Sequence, residues 1–181
     1  MNNPWKILSS KIVYQNPWIK VREDSVVRPD GSPGIYGVIE TNDSVIVGAL
    51  NDKNELYLVH TFSYPAQRWH WELPGGGGDK EDFVSASKRE LFEETGINAA
   101  QWAELPATRP FDGLSPEKMA TLLATDLSFD GHLEGEDRVI ISEGRFFNFD
   151  AIESMIFSGE IDEGQTITAI YLIEKYLDKQ K

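Results

Sequence analysis

Three glutamates, Glu90, Glu93 and Glu94, fall at spacings i, i+3 and i+4 within a run of helix formers from Asp82 to Thr95. On a helix, that spacing gathers their carboxylates into an arc of roughly a third of the circumference. Like charges so placed cost a helix about 0.2 to 0.5 kcal/mol per pair. A divalent cation would turn the repulsion into coordination, and replacing Glu90 or Glu94 by Gln is expected to stabilise the metal-free chain. Oxygen donors with no cysteine anywhere in the sequence favour Mg²⁺, with Mn²⁺ as a substitute, over zinc. Taken alone, the triplet reads as a solvated acidic face.

The run just before it changes that reading. Pro74 is followed by Gly75 to Gly78 at the end of a predicted strand, which lets backbone amides and carbonyls approach a ligand or metal. From there the spacing is Gly75, five residues, Glu81, seven residues, Arg89-Glu90-Leu91, one residue, Glu93-Glu94, one residue, Gly96-Ile97.

This stretch resembles the signature of the Nudix hydrolases at all nine specified positions. The resemblance implies an α/β/α sandwich in which a loop-helix-loop holds divalent metal against a diphosphate. It implies that Glu90, Glu93 and Glu94 are metal ligands, joined by the Pro74 carbonyl, while Glu81 and Arg89 support the helix and orient the carboxylates. Arg89 and Glu93 are accordingly counted with the catalytic group. The family often places its general base on a later loop, where Glu136 is the favoured carboxylate and Glu134 and Asp137 are the alternatives. Glu72, Gly75, Gly76 and Glu117 are the positions expected to touch substrate.

Outside the signature, Trp71-Glu72-Leu73-Pro74-Gly75, Gly113-Leu114-Ser115-Pro116-Glu117 and the stretch from Gly159 to Leu172 are similar to the ADP-ribose pyrophosphatase-like branch. Two positions depart from it. Ser63 stands where that branch often has arginine, and Asp112 where it commonly has proline. The implied reaction is metal-dependent hydrolysis of the pyrophosphate bond in a nucleoside diphosphate linked to another moiety, of the ADP-ribose or nucleotide-sugar type. Two alternatives stay open: a Nudix domain that senses a nucleotide without cleaving it, and hydrolysis of a nucleoside triphosphate or dinucleoside polyphosphate. A calcium-buffering protein is disfavoured, because the loop spacing of an EF-hand is missing.

Charge narrows the partners. Lys and Arg total 17 against 30 Asp and Glu in 181 residues, a formal net charge of -13. Such a surface argues against wrapping nucleic acid and against docking on anionic lipid. It also repels a polyphosphate unless a cation intervenes. The absence of cysteine rules out a disulfide framework, and the sequence contains no apolar run of signal-peptide or membrane-spanning length. A cytoplasmic protein is expected.

The elements that must position these residues read as strands first. Alternation from Trp18 to Val27, a turn cluster from Pro29 to Gly34 and a return over Ile35 to Ile39 predict one hairpin. Ser44 to Leu50 and Glu55 to Phe62 flank Asn51-Asp52-Lys53-Asn54 and predict a second. Trp69, Trp71 and Leu73 alternate with His70 and Glu72, predicting a strand with one apolar face and a partly exposed His70. Met119 to Ala124 and Val139 to Phe149 complete the strands. After the helix stopped by Gly96, a capping box of Asp150 and Glu153 opens a helix that Gly159 stops, and a last helix carries Ile167, Ile170, Tyr171 and Ile173. The expectation is a single α/β domain over 1–181, a Nudix-type α/β/α sandwich with a mixed sheet and N-terminal antiparallel strands. Residues 1–40 would form an arm that pairs two copies into a homodimer, and 41–181 the catalytic core.

Overall fold

The computed structural model describes residues 2–78, 81–129 and 140–180. They form two compact units, Met1–Asn42 with Arg109–Lys118, and Asp43–Thr108 with Met119–Lys181.

In the first unit, β1 (Lys6–Gln15), β2 (Lys20–Val27) and β3 (Pro33–Glu40) make an antiparallel sheet in the order β1-β2-β3. The β2–β3 hairpin is the one expected, with Gly31 at φ +85° in its turn. Strand β1 was not read from the sequence. Its register shifts twice against β2, between Ile7 and Ser9 and between Ile12 and Tyr14, so its apolar residues do not alternate cleanly. All of β1 is exposed, including Ile7, Leu8, Ile12 and Val13. The segment 109–118 joins β3 through the Ile39 N–H to the Leu114 carbonyl at 2.9 Å and the Tyr36 hydroxyl to the Gly113 carbonyl at 3.1 Å.

The second unit carries the helices. Strands β4 (Ser44–Ala49), β7 (Gly75–Gly77), β8 (Ile97–Glu104) and β9 (Met119–Phe129) form a mixed sheet ordered β7-β4-β9-β8, in which only β4 and β9 run parallel. Strands β5 (Glu55–Ser63), β6 (Arg68–Glu72) and β10 (Ile141–Asn148) form an antiparallel sheet ordered β10-β5-β6. The expected β4–β5 hairpin is therefore a corner between two sheets. Its turn forms, with Asn54 at φ 63°, but beyond it only Leu50 and Leu56 are bridged. The glycine run, expected to end a strand, itself pairs with β4 as β7.

Strand β4 is buried on both faces, as suits a central strand with a parallel neighbour. Val45 and Val47 face α1 (Phe83–Thr95) through Ala86 and Leu91, while Ile46 joins the core formed with α2 (Phe149–Ser158) and α3 (Gly164–Asp178). The result is the expected α/β/α layering. Among the described residues, no helix is long and apolar enough to cross a membrane.

Two local expectations are corrected. The N-cap of α2 is Asn148, whose side chain accepts from the Ala151 N–H at 2.8 Å, so Asp150 lies in the first turn rather than at the cap. His70 is buried at 7% exposure although β6 is an edge strand, because its two ring nitrogens are held by carboxylates. Of the two tryptophans on β6, Trp71 is core and Trp69 is 44% exposed.

Candidate active site

Helix α1 begins where Asp82 caps it, accepting from the Ser85 N–H at 3.0 Å, and ends at Gly96 in the left-handed region at φ 67°. Between these stops one face is anchored by Ala86 and Leu91, both fully buried. Leu91 alone contributes about 1.5 to 3 kcal/mol by burial. That anchoring sets the rotation of the helix, and with it the direction of the glutamates.

Arg89 organises them. Its Nε donates to Glu81 at 3.1 Å, its Nη1 to Glu90 at 2.8 Å and to Glu93 at 3.1 Å, and its Nη2 to the Gly77 carbonyl at 3.0 Å. One guanidinium thus ties the helix to β7 and to the loop residue Glu81. Partial desolvation works to lower its pKa, but the hydrogen bonds to Glu81, Glu90 and Glu93 and the Glu90 charge outweigh it, and the net shift is upward. Arg89 therefore remains a fixed cation.

The glycines let the carboxylates approach the strand. A Cβ at Gly76 would lie 2.6 Å from the Glu90 carboxylate carbon, so the buried Glu90 packs where a side chain would otherwise be. A Cβ at Gly75 would meet the Val45 carbonyl at 2.4 Å. The Gly75 N–H donates to Glu94 Oε2 at 3.0 Å, and the Pro74 carbonyl accepts from the Val47 N–H at 2.8 Å, which leaves it a second lone pair.

The structure thus brings Pro74, Gly75, Gly76, Glu81, Arg89, Glu90, Glu93 and Glu94 together. The repulsion among the glutamates is met by Arg89 at Glu90 and Glu93 and by the Gly75 N–H at Glu94, so Glu90→Gln would weaken an ion pair, whereas Glu94→Gln keeps an oxygen for the Gly75 N–H. The Arg89 ion pair argues against the expected stabilisation of the metal-free chain by Glu90→Gln, while the same expectation for Glu94→Gln is one that a melting curve in chelator tests. Among the described residues, no three His, Asp or Glu side chains converge as a ready-made cation cage. The donor set nonetheless fits a hard divalent cation: oxygen donors from Glu90, Glu93, Glu94 and the Pro74 carbonyl, set against a strand that only glycine leaves open.

Beside Gly75 and Gly76 lies a cleft of about 160 Å³ that Glu72, Glu163, Gln165 and Ser44 also line. Burial, with help from the Glu163 charge, pushes the Glu72 carboxyl up to about 7. His70 Nε2 lies 3.0 Å from Glu72 Oε2, and His70 Nδ1 lies 3.3 Å from Asp162, which Arg68 also meets at 2.8 Å. Glu163 and Gln165 were not singled out in the sequence. Glu163 is the N-cap of α3, accepting from the N–H groups of Gln165 and Thr166, and an acid just before a helix carries no signal that it will face Glu72.

Glu117 belongs to the first unit, where it is buried and lies within 3.2 Å of the Thr41 hydroxyl. Glu134, Glu136 and Asp137 lie outside the described residues.

Comparison with known proteins agrees with this organisation. Residues 5–39 match the profile of the nucleoside diphosphate sugar hydrolase N-terminal domain, and residues 40–169 match the NUDIX domain. The ADP-ribose pyrophosphatase of Mycobacterium tuberculosis (strain ATCC 25618 / H37Rv) is 29% identical over 134 residues, 72% of this chain and 64% of that protein. That of Bacillus subtilis (strain 168) is 27% identical over 124 residues, 68% of this chain and 67% of the relative. The matched stretch thus spans slightly less than two thirds of the mycobacterial protein. A crystal structure of an ADP compounds hydrolase superposes with a TM-score of 0.86 at 20% identity, covering 97% of this chain and 95% of that one, which shows the shared fold. Because the NUDIX profile covers more than half of the sequence and takes in the whole glutamate signature, the chain belongs to the Nudix family.

Proposed function

We propose that the chain hydrolyses the pyrophosphate bond of a nucleoside diphosphate linked to another moiety, of the ADP-ribose or nucleotide-sugar type, with Mg²⁺ as its cofactor. The products are a nucleoside monophosphate and a phosphorylated moiety. The observation that carries this reading is the packing of Glu90 against Gly76, with Arg89 fastening Glu81, Glu90 and Glu93 to the Gly77 carbonyl. A solvated acidic face has no need of a buried glutamate or of a glycine strand shaped around it. The names of the two ADP-ribose pyrophosphatases support the substrate class.

In this reading, Glu90, Glu93, Glu94 and the Pro74 carbonyl hold the cation. When bound, it neutralises phosphate charge and polarises phosphorus as a Lewis acid. Arg89 keeps the carboxylates aligned and, as a permanent cation, offsets part of the charge that a -13 chain presents to its substrate. Glu72 and the Gly75 and Gly76 backbone contact the diphosphate-linked moiety in the cleft. Glu136 takes the proton of the attacking water, as a carboxylate base held outside the ligand set. The N-terminal arm, 1–40, pairs two copies of a cytoplasmic enzyme.

Turnover of a panel of ADP-ribose, nucleotide sugars, dinucleoside polyphosphates and nucleoside triphosphates, each with Mg²⁺ and with chelator, tests the proposal. Cleavage of the nucleoside diphosphate-linked compounds only when Mg²⁺ is present supports it. Binding without cleavage across the panel would favour a nucleotide sensor instead.

A further inference from the structure

Away from the glutamate site, α2 and α3 border a groove of about 420 Å³. Its floor is formed by Ile152 and Ile170, which are 1% and 6% exposed, and its walls carry Phe157 and Tyr171, which are 85% and 58% exposed. On α3 the lining residues Ile167, Ile170, Tyr171 and Glu174 recur at i, i+3, i+4 and i+7, the spacing of a single helix face. A phenylalanine left open at the end of α2 adds nothing to the core of its own unit. Exposed apolar patches with a polar border mark interaction surfaces.

The border is of one sign. Asp150, Glu153 and Glu174 line the groove, and no Lys, Arg or His does. Lys175, the neighbouring cation on α3, sits 3.9 Å from Glu174, 3.3 Å from Asp178 and 5.8 Å from the Tyr171 ring centre, so it shields only the Glu174 end. A second copy of the chain fits badly groove to groove, since it would bring three more carboxylates to the same contact. An anionic membrane is repelled for the same reason. What complements apolar walls and an acidic border is a segment with an apolar stripe flanked by cations, the helix-in-groove mode of recognition.

We propose that the groove between α2 and α3 docks a partner protein through a basic amphipathic helix, its apolar side chains between Phe157 and Tyr171 and its Lys or Arg side chains against Asp150, Glu153 and Glu174. This surface is separate from the proposed catalytic residues, and its occupancy does not depend on the reaction.

The test uses the full chain and three fluorescein-labelled amphipathic peptides of about 14 residues, long enough to form a helix on a surface. They share one leucine pattern and carry Lys, Gln or Glu at the polar positions. Fluorescence anisotropy should show the Leu/Lys peptide binding about tenfold more tightly than the Leu/Gln peptide, with the Leu/Glu peptide weaker still. Phe157→Ala, which leaves the charge unchanged, should weaken Leu/Lys binding about tenfold, as hot-spot aromatics do. Glu153→Lys should weaken it similarly. Glu104→Lys, the same charge change on the edge strand β8, on the face where Trp102 packs toward α1 and not toward α2 and α3, should leave it within about twofold, because a charge outside the groove acts only through the screened field. Unchanged melting temperatures show that the variants fold. Equal losses in Glu153→Lys and Glu104→Lys would reduce the binding to net-charge attraction and overturn the proposal. So would full binding by Phe157→Ala, equal binding of the Leu/Gln peptide, or self-association of the chain that Phe157→Ala abolishes.

Discussion

Gly76→Ala places one methyl group where the structure has the Glu90 carboxylate. The new Cβ would lie 2.6 Å from Cδ and Oε1 of Glu90 and 2.7 Å from Oε2. Gly76 cannot easily retreat, because it is paired with Val45 in the sheet. The carboxylate must therefore withdraw by roughly 1 Å to reach an ordinary contact of about 3.5 Å, loosening its 2.8 Å bond from Arg89 Nη1. Overpacking of this kind costs about 1 to 3 kcal/mol. Removing a glycine from a strand returns about 0.5 to 1 kcal/mol, leaving a net loss of about 1 to 2 kcal/mol. In a domain of this size, that lowers the melting temperature by roughly 2 to 8 °C. The protein still folds at 25 °C, but a catalytic ligand misplaced by about 1 Å costs on the order of 10²-fold in rate. The assay is kcat/KM for the best substrate of the panel at saturating Mg²⁺, beside a melting curve. Gly113→Ala, whose Cβ would meet nothing within 4 Å, is the control and should match wild type in both. Gly75→Ala strikes the Val45 backbone instead and should cost stability foremost. Wild-type kcat/KM in a folded Gly76→Ala protein would refute the idea that Glu90 works from this position.

Glu94→Gln keeps an oxygen to accept the Gly75 N–H but removes the charge, so the fold should survive while turnover falls below about a tenth of wild type; isotherms for Mg²⁺ should weaken in parallel. Glu136→Gln should lower kcat by about 10² to 10⁴ with KM and metal affinity little changed, the mark of a lost general base. Should Glu134→Gln or Asp137→Asn collapse instead, the base is one of those. For Glu72, the folded protein holds a proton that the unfolded chain releases, because the carboxyl is raised from 4.5 to about 7. Stability should thus fall as pH rises through that window, by on the order of 3 kcal/mol, and urea midpoints of Glu72→Gln in chelator at pH 5 and pH 8 should lack that fall. Light scattering at micromolar concentration should give twice 20.4 kDa, since Ile7, Leu8, Ile12, Val13, Trp18 and Ile35 of the N-terminal unit are each at least half exposed. A clean monomer would remove the dimer.

The helix carrying the glutamates was legible because its signals are local. The run of helix formers starts at Asp82, which caps it, and stops at Gly96 in the left-handed region, whereas the burial of Ala86 was not legible. The glycine run was legible as a ligand approach, but not as a strand, since three glycines carry no side-chain pattern and are paired only through β4. Long-range geometry was the harder part. Asn51 to Asn54 do turn the chain, yet whether the flanking strands pair or part into two sheets depends on the neighbours that each acquires, β9 for β4 and β10 for β5. His70 illustrates the same limit: its edge strand meets a segment far along the chain, where the Glu160 carbonyl accepts from the Trp71 N–H and Asp162 lies 3.3 Å from His70 Nδ1. Even for the glutamates, the sign of their mutual interaction needed the structure, because Arg89 sits beside Glu90 in sequence while its guanidinium also reaches Glu81, Glu93 and Gly77.

In the proposed reaction, water attacks a phosphorus within a nucleoside diphosphate linkage, with Mg²⁺ held by the glutamate face. Mass analysis of the products of ADP-ribose incubated with the chain and Mg²⁺ in ¹⁸O-labelled water tests it most directly. AMP and ribose 5-phosphate are expected, one of them carrying a single ¹⁸O on its phosphate, with no products when the cation is chelated. Intact ADP-ribose and nucleotide sugars alongside labelled pyrophosphate or inorganic phosphate from a nucleoside triphosphate would contradict it.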